Sequence, residues 1–155
     1  MKCFQTREGG PVFDRDFLVL EDLGVGGTPR KPLMEVVLPP YSALYLKQKV
    51  LFDASYSDLT YVTRLWESLE ARDWYRDVTY ADLSDRTAVA FVLKGHIRIE
   101  VGSTLEELDT KLLLAEQIMK EKREAGILTD DTYAIVNSSS TNATTWKLCS
   151  EQDLY

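Results

Sequence analysis

The residues able to do chemistry in this chain are few. His96 is the single histidine, and Cys3 and Cys149 are the two cysteines. One histidine excludes a His–His metal site and leaves room for at most one nucleophile–base pair. Such a pair needs a pocket that brings both groups within hydrogen-bond reach. His96 follows Lys94-Gly95 and alternates with Arg98 and Glu100. That parity puts it on the wet face of a strand, as a surface residue. Two isolated cysteines make no zinc centre without other ligands. They stand near opposite chain ends, and spacing alone leaves a disulfide between them open. Carboxylates recur as Asp14/Asp16, Glu106/Glu107 and Asp130/Asp131. Glu106 and Glu107 suit a helix start, where the dipole favours negative charge. Asp130-Asp131 suits a turn. Asp14-Arg15-Asp16 lacks the glycine and further ligands of a calcium loop. Gly24-Val25-Gly26-Gly27 runs into Pro29 and Pro32 rather than a helix, which argues against a phosphate cradle. The expectation is a non-enzyme with no catalytic residue, no metal and no cofactor. A small hydrolase or transferase would require His96 to sit beside Glu100 or an aspartate.

The remaining chemistry is recognition. Thr144-Thr145-Trp146-Lys147-Leu148 reads as part of a last strand close to the C-terminus. A final strand at a sheet edge exposes unpaired amides and carbonyls, and another chain can add a strand there. Trp146 on such an edge is a natural anchor. Inward packing of Trp146 explains the residue equally well.

The elements that must position these residues follow from patterning. The chain has 155 residues, 45% hydrophobic and 28% charged, enough for a core and a solvated surface. The net charge is −7, with the two signs interleaved, which disfavours nucleic acid. No window is apolar and long enough to span a bilayer. Residues 1–10 carry little pattern and are expected to be flexible. Pro11–Glu21 reads as two strand pieces around the Asp14-Arg15-Asp16 turn. Leu33–Leu38 reads as a strand stopped by Pro39-Pro40. Tyr41–Phe52 is ambiguous. Ser57–Asp73 shows a helical stripe of Leu59, Val62, Leu65, Trp66 and Leu69, with Ser57 or Asp58 as cap. Thr87–Leu93 is apolar on both faces and reads as a central strand. His96–Val101 alternates, and Lys94-Gly95 supplies the hairpin turn. A second helix is expected to start from a capping box, Ser103 with Glu106 or Thr104 with Glu107. Its buried stripe is Leu105, Leu108, Leu112, Ala115 and Met119, and Gly126 ends it. Thr132–Asn137 and Thr144–Cys149 are the last strands, and residues 150–155 are expected to be a flexible tail. This order predicts an α+β fold, two main amphipathic helices packed on a largely antiparallel sheet. A single domain over residues 11–149 is expected.

The ordered set of local signatures resembles the extracytoplasmic β domain of the bacterial cell-division protein FtsQ, called DivIB in Gram-positive bacteria. Val12-Phe13-Asp14-Arg15-Asp16 through Val19-Leu20-Glu21 resembles the family's strand–turn–strand entry, with Asp16 where glycine is usual. Val78-Thr79-Tyr80-Ala81-Asp82-Leu83-Ser84-Asp85 is similar to its "I-x-x-I-D-L-S-D" element. Ile99-Glu100-Val101-Gly102 resembles the "V-x-L-G" hairpin close, Asp109-Lys111-Leu112 the "L-x-x-K-L" helix, and Thr132–Asn137 the "G-x-I-D-L" strand. The resemblance covers about residues 11–148. It implies a scaffold for septum assembly that binds the small proteins FtsB (DivIC) and FtsL. It places partner binding on Thr144, Thr145, Trp146, Lys147 and Leu148, with Tyr133 nearby. No small-molecule substrate is implied. A full member also carries a cytoplasmic tail, one membrane helix and a POTRA domain, so the chain reads as a truncated piece. The implied location is the outer face of the cell membrane at the septum. A POTRA-like or other extracytoplasmic interaction module and a cytoplasmic adaptor are the competing readings.

Overall fold

The computed structural model describes residues 3–6, 10–21 and 33–155. Eleven strands are described: β1 Cys3–Thr6, β2 Val12–Phe13, β3 Val19–Glu21, β4 Leu33–Val37, β5 Tyr41–Ala43, β6 Leu51–Phe52, β7 Val78–Asp82, β8 Val89–Leu93, β9 Ile97–Gly102, β10 Tyr133–Asn137 and β11 Thr145–Cys149. Two α-helices accompany them, α1 Thr60–Ala71 and α2 Leu108–Glu124. Nine strands form one sheet in the order β11-β10-β9-β8-β7-β4-β1-β2-β3. The pairs β1–β4, β4–β7 and β9–β10 are parallel and the other five antiparallel. The fold is therefore mixed α/β with a mostly antiparallel sheet, as the element order predicts. The ambiguous segment Tyr41–Phe52 forms a separate hairpin, β5 with β6. The glycine loop at 24–29 lies outside the described residues.

Alternation explains the layering. All five residues of β8 are buried, as its two apolar faces require in mid-sheet. In β9, Ile97, Ile99 and Val101 are buried, with Arg98 and Glu100 half-exposed between them. Both helices press on the face carrying Val89, Phe91, Ile97, Ile99 and Val136, through Leu65, Trp66, Leu69, Leu108, Leu112 and Ala115. The opposite face holds a smaller cluster of Tyr80, Val92 and Leu154, flanked by Tyr133 and Cys149.

Local signals held where one short-range interaction decides them. Asp14 Oδ1 accepts from the amides of Asp16 and Leu18, each at 2.9 Å, and closes the β2–β3 turn. Lys94 and Gly95 both take positive φ, 52° and 73°, the type I′ geometry of a tight hairpin. At the end of α2, Gly126 N–H bonds Arg123 O and Ile127 N–H bonds Lys122 O, each at 3.0 Å. That is a Schellman close on a glycine at φ 72°.

Five expectations are corrected. Residues 3–6 are not a flexible lead-in. They form β1, which pairs with β2 and β4, and Phe4 is fully buried. The tail at 150–155 is not frayed. Glu151–Leu154 is a 3₁₀ turn with a Ser150–Asp153 capping box, and Leu154 is fully buried. Helix α1 is shorter than 57–73. Asp58 accepts from the Thr60 amide at 3.1 Å, while Ser57 bonds Ala54 O instead. No capping box opens α2, because Thr104 is drawn into the core. Its hydroxyl donates to Tyr61 O at 2.6 Å, and Lys111 Nζ donates to Ser103 O at 2.7 Å. The helix starts only after Glu107, at φ 50°, and Leu105 stays 56% exposed. Finally, His96 is buried. It closes the turn through its amide to Leu93 O, so it leaves the strand parity of Arg98 and Glu100. Thr132 and Ala134 bond it from β10's side, with Nδ1 3.0 Å from Thr132 O and Ala134 N–H donating to His96 O at 3.0 Å.

A candidate partner-binding edge

Strand β11 is the last strand of the sheet on one side and pairs with β10 alone among the described strands. Its five residues run in unbroken antiparallel register, Tyr133 opposite Cys149, Ala134 opposite Leu148, Ile135 opposite Lys147, Val136 opposite Trp146 and Asn137 opposite Thr145. Directly opposed residues share a face. Val136 belongs to the helix-side core, so Trp146 and Leu148 lie on that face. Tyr133 and Cys149 pack on the opposite cluster, so Thr145 and Lys147 lie there.

The expected partner-contact residues therefore divide. Trp146 is half-buried and packs against the core, so inward packing accounts for much of its ring. Leu148 is 54% exposed beside it and is the larger apolar surface on the strand. Lys147 and Thr145 are exposed on the other face. Tyr133 lies on β10, one strand in from the edge, and its hydroxyl lies 3.5 Å from Glu151 Oε2. Thr144 precedes the strand, and its Oγ1 is buried without a hydrogen-bond partner.

The strand's C-terminal end is held by groups that motif reading overlooked. Ser150 N–H and Oγ bond Asp153 Oδ2 at 3.1 and 3.0 Å. These bonds hold the Asp153 carboxyl below its ordinary value, the backbone bond most. Arg98 Nη1 donates to Leu154 O at 2.8 Å, and Tyr155 meets the Tyr80 ring edge-on at 4.9 Å. The Ser-x-x-Asp spacing at 150–153 was the readable signal. Burial is the first cause raising the Cys149 thiol above its ordinary value, with Asp153 next. Cys149 and Cys3 are both free. Six strand positions separate β11 from β1, roughly 29 Å at about 4.8 Å per spacing. A disulfide needs Cα atoms within about 7 Å, so this pair cannot close within one chain.

The opposite edge differs. Val19 in β3 donates to Gln48 O at 2.9 Å and accepts from Lys47 N–H at 2.8 Å. Leu18 forms an isolated bridge with Lys49. The loop before β6 thus caps that end of the ladder.

Among the described residues no cluster of three metal-ligating side chains occurs, and no helix is long and apolar enough to cross a membrane. No family model matches the chain, and no curated protein matches it in sequence.

Proposed function

We propose that this domain is a non-enzymatic scaffold of the FtsQ/DivIB β-domain type. It binds FtsB/DivIC- and FtsL-like division proteins by adding a partner strand to β11. The observation that carries the reading is the inequality of the two sheet edges: β3 is capped by Lys47 and Gln48, whereas among the described strands β11 pairs only with β10. An added strand gains main-chain hydrogen bonds along five residues in register, and alternate side chains set specificity. Leu148 and the exposed part of Trp146 would meet the partner on the helix face, and Lys147 on the other. In this reading the domain works on the extracytoplasmic face of the membrane at the septum. Within the order β1–β6, α1, β7–β9, α2, β10 and β11, the β2–β3 turn, α1, the β8–β9 hairpin, α2 and the two closing strands are the elements that support the resemblance. A short strand interface binds weakly alone and gains from co-localisation on one membrane.

The test is titration calorimetry of the domain with peptides from the membrane-distal C-terminal regions of FtsB/DivIC and FtsL. Ala134 N–H and Ser138 N–H bond β9, so Ile135 and its partner Lys147 bond each other and the amides of Trp146 and Leu148 face outward. Saturable binding is expected, and lost in Leu148→Pro, which removes an outward amide without breaking the β10 ladder. Circular dichroism on the same samples checks folding. Undiminished binding by a folded Leu148→Pro domain would refute strand addition at β11.

A further inference from the structure

A cavity of about 300 Å³ opens between the β8–β9 turn, Trp74 and the C-terminal half of α2, at the small end of the range for ligand sites. Its apolar lining is Trp74, Leu93, Ile97 and Met119. His96 also lines it, with only 6% of the residue exposed. The histidine's hydrogen bonding is half used. Nδ1 lies 3.0 Å from Thr132 O. A carbonyl can only accept, so Nδ1 carries the proton, and the neutral ring keeps a lone pair on Nε2. That nitrogen has no hydrogen-bond partner among the described residues, on a side chain more than nine-tenths buried. The atom is not among the enclosed unpartnered polar atoms, so water reaches it from the cavity; a ligand that fills the cavity must bring a donor of its own or leave this acceptor unpaired.

The rim decides what kind of ligand. Lys94, Lys120 and Arg123 are matched by Asp77, Glu116 and Glu124. Glu116 is already paired with Arg72 at 2.9 Å and Arg123 with Asp130 at 3.9 Å, which leaves Lys94 and Lys120 against Asp77 and Glu124. The mouth therefore selects neither anions nor cations. Trp74 offers an aromatic wall, steadied by Phe91 at 6.5 Å and by Arg72 over its ring at 5.6 Å. Met119 offers a thioether, which favours aromatic partners.

We propose that this cavity binds an uncharged aromatic group bearing one hydrogen-bond donor, an indole or a phenol, with His96 Nε2 as the acceptor. The group could be a free small aromatic or a Trp or Tyr side chain of a partner. None of the lining residues belongs to β11, so this site and the strand edge stand or fall separately.

The test is an amide NMR titration of the intact chain with indole against 1-methylindole, and with p-cresol against toluene. Each pair shares a body and differs in the donor. Saturable shifts at His96, Ile97 and Met119 are expected, with the donor-bearing probe binding about tenfold tighter, the ratio worth roughly 1.4 kcal/mol. Met119→Phe, which fills the cavity and leaves His96 in place, should abolish the shifts. His96→Phe, if it folds, should equalise the members of each pair. N-acetyltryptophanamide separates the sources. Indole-like affinity assigns the site to a partner's side chain, and exclusion beside indole binding assigns it to free aromatics. No shifts at these residues, or equal affinity with and without the donor in the parent chain, would overturn the proposal.

Discussion

Phe4→Ala tests the architecture at its least expected point. Phe4 sits in β1, the strand that joins β2 and β3 to the rest of the sheet. Its ring is fully buried and lies 5.1 Å from Trp66 of α1. Truncating a buried phenylalanine removes its transfer free energy and leaves a cavity, together about 3–5 kcal/mol. Domains of this size are stable by roughly 5–15 kcal/mol, so the loss is about a fifth of the total or more. Urea unfolding followed by far-UV circular dichroism should show the midpoint fall steeply at unchanged slope. Leu105→Ala is the control. Leu105 is 56% exposed and should shift stability by no more than about 0.5 kcal/mol. A Phe4→Ala loss below about 1 kcal/mol, the scale of a surface substitution, would mean that β1 is not built into the core.

Two further outcomes follow from the same structure. Full burial of a leucine side chain contributes about 1.5–3 kcal/mol, and Leu148 keeps 54% of itself exposed. Covering that part is worth at most about 0.8–1.6 kcal/mol, so Leu148→Ala should weaken partner-peptide affinity about 4- to 15-fold; unchanged affinity in calorimetry would remove Leu148 from the interface. Burial raises Tyr61 and Tyr75 from 10.0 to about 12. Their neutral forms are favoured in the folded state, so their contribution is complete below pH 10 and is lost as pH rises from 10 to about 12. A tyrosinate absorbance titration should show two of the eight tyrosines ionising late or together with unfolding. Tyr61→Phe should delete one of them, and ionisation of Tyr61 near pH 10 in a folded chain would contradict its burial.

What could be read from the residues was what neighbours in sequence decide. The I′ turn at Lys94-Gly95, the glycine close at Gly126, the Asp14 turn and the apolar strand β8 each depend on a few adjacent residues, and each was legible. The errors arose where a distant segment outvoted local chemistry. Cys3–Thr6 has no alternation to recognise, yet it is a strand because Leu33–Val37 offers it a parallel ladder. Ser103 and Thr104 carry capping chemistry, but the Thr104 hydroxyl is spent on Tyr61 O, and Ser103 Oγ accepts from the nearby Leu105 amide ahead of the helix. His96 obeys strand parity on paper and breaks it because the turn re-aims the ring towards Thr132. The candidate edge was half legible. That β11 is the last strand could be read, but which of its side chains remained exposed could not. That depends on Val136 drawing Trp146 inward while Leu148, opposite the small Ala134, stays out.

The tail sharpens the argument about that edge. Proteins commonly protect a terminal strand with a proline, a bulge or a covering segment. Strand β11, TWKLC, has no proline, and its pairing with β10 shows no register shift. A covering segment is at hand, since Glu151–Leu154 follows directly, but it runs the other way. Its bonds go to Arg98 on β9, its last ring to Tyr80 on β7, and Glu151 approaches Tyr133 on β10. Each of these strands lies inward of β11 in the sheet. The 3₁₀ turn therefore closes the second hydrophobic cluster and fixes the end of β11, and among the described residues no strand covers its outer backbone. A segment that needed only to shield the edge would gain more by crossing it. This one turns inward, which is the arrangement the proposed strand addition requires.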